Sequence, residues 1–168
     1  NCAAASGAGY FRMVTDYCAP DSFDQDIKFR RIRNPLTVYP GPHVEPDGSD
    51  MMVCALSEDM PRADFKRQYP KANAANDNLP RGLGDRYAGW IDDQLVRVVE
   101  YYRVELKPAT LALLADGTAV FKDEAPEGAV IVKERPTERR TVRWYKVTGA
   151  DVLEEADIPC NWIPVFPV

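Results

Sequence analysis

"LVRVVEYYRVEL", Leu95 to Leu106, is the stretch on which the fold turns. Val96, Val98, Tyr102, Val104 and Leu106 fall at every second position, so they share one face of an extended chain. β-Branched and aromatic residues fit a pleated, half-buried surface. The segment therefore reads as the longest strand. Glu100 breaks its apolar face. A carboxylate buried there needs Arg or Lys beside it, because an unpaired buried charge is costly. Two readings follow for Glu100: a structural ion pair or an acid catalyst.

The segments around this strand extend the pattern. "TLALLADGTAVF" reads as a hairpin with Asp116-Gly117 in its turn. "AVIVKE" and "TVRWYKVTGADVLEE" add strands, with Thr148-Gly149 as a turn. "WIPVFPV" is extended and apolar, and Pro164 and Pro167 confine it to a sheet edge or to an exit from the domain. Upstream, "GYFRMVTDYC" alternates Tyr10, Arg12, Val14 and Asp16 against Phe11, Met13, Thr15 and Tyr17. "APDSFDQD" is a turn, and "IKFRRI" resumes the strand. Ile27 and Phe29 share a face, but Ile32 is out of phase, and a β-bulge at Arg30 and Arg31 would return it to the buried side. Asn34-Pro35 breaks that strand, "LTVY" is short and strand-like, and "PGPHVEPDGSD" is a loop. "MMVCAL" is a buried strand. A helix follows, capped by Ser57 or Asp59, with Pro61 in its first turn, Phe65 and Tyr69 on one face, and Pro70 at its end. The expected class is α+β, mainly antiparallel sheet with one or two short helices. Residues 1–168 read as a single domain, with the polar loop 70–90 as an internal hinge.

Composition narrows the function. At 168 residues the chain fits one domain that needs no disulfide or metal to hold its core. It holds 14 Pro where average usage of roughly 5% would give about 8, which favours strands and turns over long helices. Net charge is −5 and the sequence pI about 5.0, which excludes the electrostatic footprint of a duplex-DNA reader. Such a surface still suits a channel through which DNA slides, where tight phosphate contacts would act as a brake. Cys2, Cys18, Cys54 and Cys160 have neither disulfide-scaffold nor zinc spacing, and read as partly buried thiols in a reducing cytoplasm. No apolar run is long enough to span a membrane. Asn1 without Met and the apolar "WIPVFPV" read as cut ends of a longer chain.

The catalytic parts are few. His43, the one histidine, excludes a two-histidine metal site within the chain and reads as a solvated loop residue. "GLGD", Gly82 to Asp85, lacks the Lys-Ser/Thr of a phosphate loop and reads as a flexible turn. Glu45, Asp47, Ser49 and Asp50 offer oxygens to a calcium ion, but "EPDGSD" lacks the spacing and closing Glu of the helix–loop–helix calcium loop. The competing reading is a turn in which Asp47 and Ser49 bond to their own backbone around Gly48. Asp92, Asp93, Glu100, Asp123 and Glu124 are candidates for the paired carboxylates of sugar hydrolysis. Chance alone gives adjacent acids among 26 acidic residues. Lys28, Arg30, Arg31 and Arg33 form one basic cluster, and Arg135, Arg139, Arg140 and Arg143 another. Acids interleave with both, so a solvated strand face or a subunit contact explains them as well as phosphate binding does.

The ordered set "GYFRMVTDY", "DQDI", "RIRNPLTVY", "EPDGSD", "MPRADFKRQYP", "VRVVEYYRVE", "VRWYKVTGADVLEE" and "WIPVFPV" runs from Gly9 to Val168. It resembles the portal proteins of short-tailed phages and prophages of the podovirus, Salmonella-phage type. The sequence departs from that pattern at Tyr39-Pro40-Gly41-Pro42, where Gly41 stands in place of the family's acid. The resemblance implies a wing-region piece of a ring, typically of twelve subunits, at a capsid vertex. It implies partners: further copies of the chain, capsid and scaffold, the packaging terminase, and tail or head-completion proteins. Double-stranded DNA would pass through without sequence-specific binding. It implies no cofactor, no membrane and no enzyme activity, and a virion component assembled in the bacterial cytoplasm. Carried onto this chain, the family's motif positions are Arg33, Asn34, Pro35, Tyr39, Asp47, Gly48, Ser49 and Asp50. Under this reading, Arg31 to Asp50 is a joint: a bulged strand, a proline-stiffened bend, and a turn that returns the chain to the sheet. A carboxylate-dependent hydrolase and an acidic calcium-binding module are the alternatives.

Overall fold

The computed structural model describes residues 7–73, 94–158 and 160–168. The fold class is α+β, dominated by antiparallel strands. The strands are β1 (Tyr10–Tyr17), β2 (Gln25–Ile32), β3 (Val38–Pro40), β4 (Val53–Pro61), β5 (Leu95–Leu114), β6 (Ala119–Phe121), β7 (Ile131–Val147), β8 (Val152–Ile158) and β9 (Val165–Pro167). The helix α1 spans Arg62–Gln68, and single 3-10 turns lie at Pro35–Thr37 and Lys122–Glu124. One sheet has the order β3-β4-β5-β7-β8, with β6 paired to the far end of β5. The other has the order β2-β1-β9.

The alternation in β5 orients the large sheet. Val96, Val98, Tyr102 and Val104 are buried on one face, while Leu106 is 45% exposed. Two layers cover that face. Around Tyr102 and Val104 it packs with Cys54, Val142, Ile163 and Val165, and Tyr10 and Ile32 of the small sheet lean against this cluster. Around Val96 and Val98 it packs under Phe65 of α1. Cys54 sits in the first cluster, and burial pushes its thiol up to about 12. Cys160 is half-buried, and Cys18 is exposed rather than partly buried.

The strand is longer than its sequence pattern marks. β5 runs 20 residues without a break, through Pro108 and into the hairpin that closes at Asp116-Gly117. β7 likewise joins "AVIVKE" to "TVRWYKV" through Pro136. Pro108 lies between the stretches of β5 that pair with β4 and β6, and Pro136 lies outside the stretch of β7 that pairs with β8. Among the described residues each strand has a free side there, so a missing N–H is tolerated.

Three local expectations are corrected. β2 pairs with β1 in unbroken register from Tyr10↔Ile32 to Tyr17↔Gln25, with no bulge at Arg30 and Arg31. Ile32 faces the large sheet, whereas Ile27 and Phe29 lie on the opposite face, 67% and 69% exposed. The phase change in the sequence records a strand with apolar residues on both faces. The helix begins at Arg62, with Pro61 at its N-cap and no side-chain cap. Ser57 and Asp59 lie within β4, and Asp59 accepts hydrogen bonds from Arg97 on β5, at 2.7 and 2.9 Å. Leu36 and Thr37 belong to the 3-10 turn, so only Val38–Pro40 is strand. Residues 74–90 of the expected hinge loop, including the "GLGD" turn, lie outside the described residues. β9 forms an edge of the small sheet, as its prolines require.

Candidate functional site

Glu100 occupies the seam between the two core clusters. Its carboxylate accepts hydrogen bonds from Arg12 at 3.1 and 3.3 Å, Tyr102 at 2.8 Å and Trp144 Nε1 at 3.3 Å. Arg12 comes from β1, Tyr102 from the same strand two residues on, and Trp144 from β7 opposite Tyr102. The ion pair thus ties the small sheet to the large one. Its side chains are 28% and 20% exposed, so water screens the pair less than on an open surface. Burial opposes the Arg12 charge, yet Glu100's charge and hydrogen bond hold its pKa above the ordinary value. Burial, reinforced by the Glu100 charge, raises the Tyr102 hydroxyl. Lys146 lies across from Glu100 on β7; Tyr69 donates to Glu154 beside it.

Of the two readings of Glu100, the structural ion pair is the one with a partner in place. Both oxygens are occupied by donors that join strands. Asp123 and Glu124 are held by Arg139, at 2.9 to 3.2 Å. Asp92 and Asp93 lie outside the described residues. Arg12 was the residue missed in the sequence. The signal was weak: Arg12 lies between Tyr10 and Val14 on one face of β1 and has the charge that Glu100 needs, but Asp16 shares that face.

The motif positions divide into two places. Arg33, Asn34 and Tyr39 line a cleft of about 580 Å³ that also reaches Arg12, Asp59 and Glu100. Asn34 caps the 3-10 turn by accepting from Leu36 N at 3.1 Å, and Pro35 sits at its first position. Asp47, Gly48, Ser49 and Asp50 instead form a turn beside β9. Asp47 accepts from Ser49 N at 3.0 Å around Gly48, whose φ of 69° suits glycine. Asp50 accepts from Val44 N at 2.7 Å and Glu45 N at 3.2 Å. These bonds hold both carboxyls below the ordinary Asp range. Asp47 and Asp50 of "EPDGSD" therefore serve the backbone of their own turn, and no cluster able to hold a metal ion occurs among the described residues. His43 is half-buried rather than solvated, with Nδ1 2.8 Å from the Gly41 carbonyl.

Gly41 has a steric reason of its own. A Cβ there would lie 2.6 Å from Val53 Cγ2 and 2.7 Å from the Val53 carbonyl oxygen. An acid at this position would require the strand to move.

The basic clusters are woven into acids. Lys28 and Arg30 pair with Asp16, Arg143 with Glu155 and Asp157, and Arg139 with Asp123 and Glu124. Arg139 also stacks on Phe121, at 4.0 Å. Residues 1–168 match the family model described as phage P22-like portal protein. No curated protein matches the chain.

Proposed function

This chain belongs to the P22-like phage portal protein family, and from that premise we propose that it works as one structural unit of the ring at a capsid vertex. DNA enters and leaves through such a ring. The packaging terminase, capsid or scaffold, and tail proteins dock onto it. The observation that carries this reading is the family match over the whole chain. The commitment of Glu100 to Arg12, Tyr102 and Trp144 supports a structural rather than catalytic role for the most buried carboxylate of the seam.

Within the unit, Arg33, Asn34, Pro35 and Tyr39 stiffen the bend between the two sheets, and Asp47 to Asp50 return the chain to β4. The acidic net charge suits DNA that slides without sequence-specific contact. The ring is expected to hold about twelve copies and to assemble in the bacterial cytoplasm before entering the virion.

The test is electron microscopy of the full parent chain purified without partners. Rings with a central hole support the reading. Monomers or dimers across a range of salt and protein concentrations overturn it.

A further inference from the structure

The turn between β1 and β2 places a phenylalanine in water. Phe23 is 95% exposed. Its turn is nevertheless built: Ser22 N donates to the Ala19 carbonyl at 3.1 Å, and Asp24 N donates to Ser22 Oγ at 3.0 Å. Cys18 N donates to the Asp24 carbonyl at 3.0 Å. A large, few-rotamer side chain carried on a fixed backbone loses little freedom when it docks, and such residues serve as anchors. Asp21 and Asp24 flank it.

The far ribbon of the large sheet offers the complement. A pocket of about 230 Å³ lies against Leu111, Leu113 and Ala119, with Lys133, Glu134 and Arg135 around it. Lys122 takes up the Glu134 charge at 2.9 Å. No carboxylate pairs with Lys133 or Arg135 among the described residues, so the rim is positive. An apolar cavity of about 150 Å³ accepts a benzene ring, so this pocket has room for one.

We propose that Phe23 of one copy seats in this pocket of the next copy, with Asp21 and Asp24 facing Lys133 and Arg135. The inference rests on the ring reading. Tip and pocket are different surfaces of one chain, and a contact between unlike patches repeats head to tail, the kind of contact from which a ring is built when its rotation closes. The charges are complementary, which fixes orientation and speeds encounter. Two tips or two pockets would meet with like charges, so tip pairs with pocket rather than with its own kind.

The test uses the full parent chain in a Cys2→Ser, Cys18→Ser background. Phe23→Cys combined with Leu113→Cys should give an oxidised ladder of linked chains on a non-reducing gel. Phe23→Ser should raise the protein concentration needed for half-assembly by about tenfold or more, the loss expected for a central anchor. Asp21→Lys with Asp24→Lys should weaken assembly, and adding Lys133→Glu with Arg135→Glu should restore it. Circular dichroism melts unchanged from wild type show that each variant is folded. If the parent chain forms no rings, the ring reading falls and this contact with it. If rings form, and no ladder appears while the Phe23→Ser chain assembles as wild type, the contact alone is overturned.

Discussion

The two halves of β5 are one strand in two environments. From Leu95 to Arg103 it pairs with β4, from Val99 onward also with β7, and the inner face of this half carries Val96, Val98, Tyr102 and Val104, all buried. From Glu105 to Leu114 its steady partner is β7, β6 joins for three residues, and Leu106 and Leu113 reach water. The β1–β2 hairpin repeats the contrast. Tyr10 and Arg12 reach into the body, whereas Phe23, Ile27 and Phe29 stand in solvent. Stability should therefore be concentrated where the sheets cross. Surface available to partners lies on the ribbon and the hairpin tip. Apolar side chains held in water by ordered strands are spare capacity for contact.

The sharpest way to break this contrast is in the body. Phe65→Ala empties a site 1% exposed under α1 and should cost about 3–5 kcal/mol, read by urea unfolding. Glu100→Ala strips Arg12, Tyr102 and Trp144 of their shared acceptor and should cost about 2–3 kcal/mol. The Arg12→Ala, Glu100→Ala double mutant should cost less than the sum of the singles, because each single leaves the other charge stranded. Gly41→Ala drives a Cβ into Val53 and should cost about 1–3 kcal/mol.

Acid provides a gentler probe. Asp59 is held below its ordinary range by the Arg97 hydrogen bond, and Asp47 and Asp50 by backbone N–H groups. A carboxyl depressed in the folded state contributes stability above its unfolded pKa of about 3.9 and loses it as pH falls through the folded value. The melting temperature should hold near pH 5 and decline below about pH 4, and Asp59→Asn should flatten part of that decline. The smallest effect belongs to the arms. Phe29→Ser, at a site 69% exposed, should change unfolding by less than about 0.5 kcal/mol. A large cost there would mean that the hairpin face is packed in solution and that the contrast is false.

How much of this was legible follows from how local each cause is. The "PDGSD" turn was readable because an Asx turn is closed within a few residues. The need of Glu100 for a cation was readable from one strand. Its partner was not, because Arg12 lies 88 residues away and strand pairing alone places it. The bulge expected at Arg30 and Arg31 came from assuming a single buried face, and β2 has apolar residues on both. The helix start was misplaced because Asp59, a good cap in isolation, is drawn into a cross-strand pair with Arg97. The fusion of β5 across Pro108 depends on one side there carrying no strand among the described residues, which no local pattern records.

Hydrogen–deuterium exchange on the full parent chain, unassembled and assembled, tests the contrast most directly. The account predicts that assembly slows exchange at residues 18–25, 111–114 and 131–135, while residues 98–104 and 142–147 are slow in both states and unchanged. Protection gained across 98–104 and 142–147, with the hairpin tip and ribbon unaffected, would contradict it: the body would then be completed by assembly, and the exposed arms would play no part.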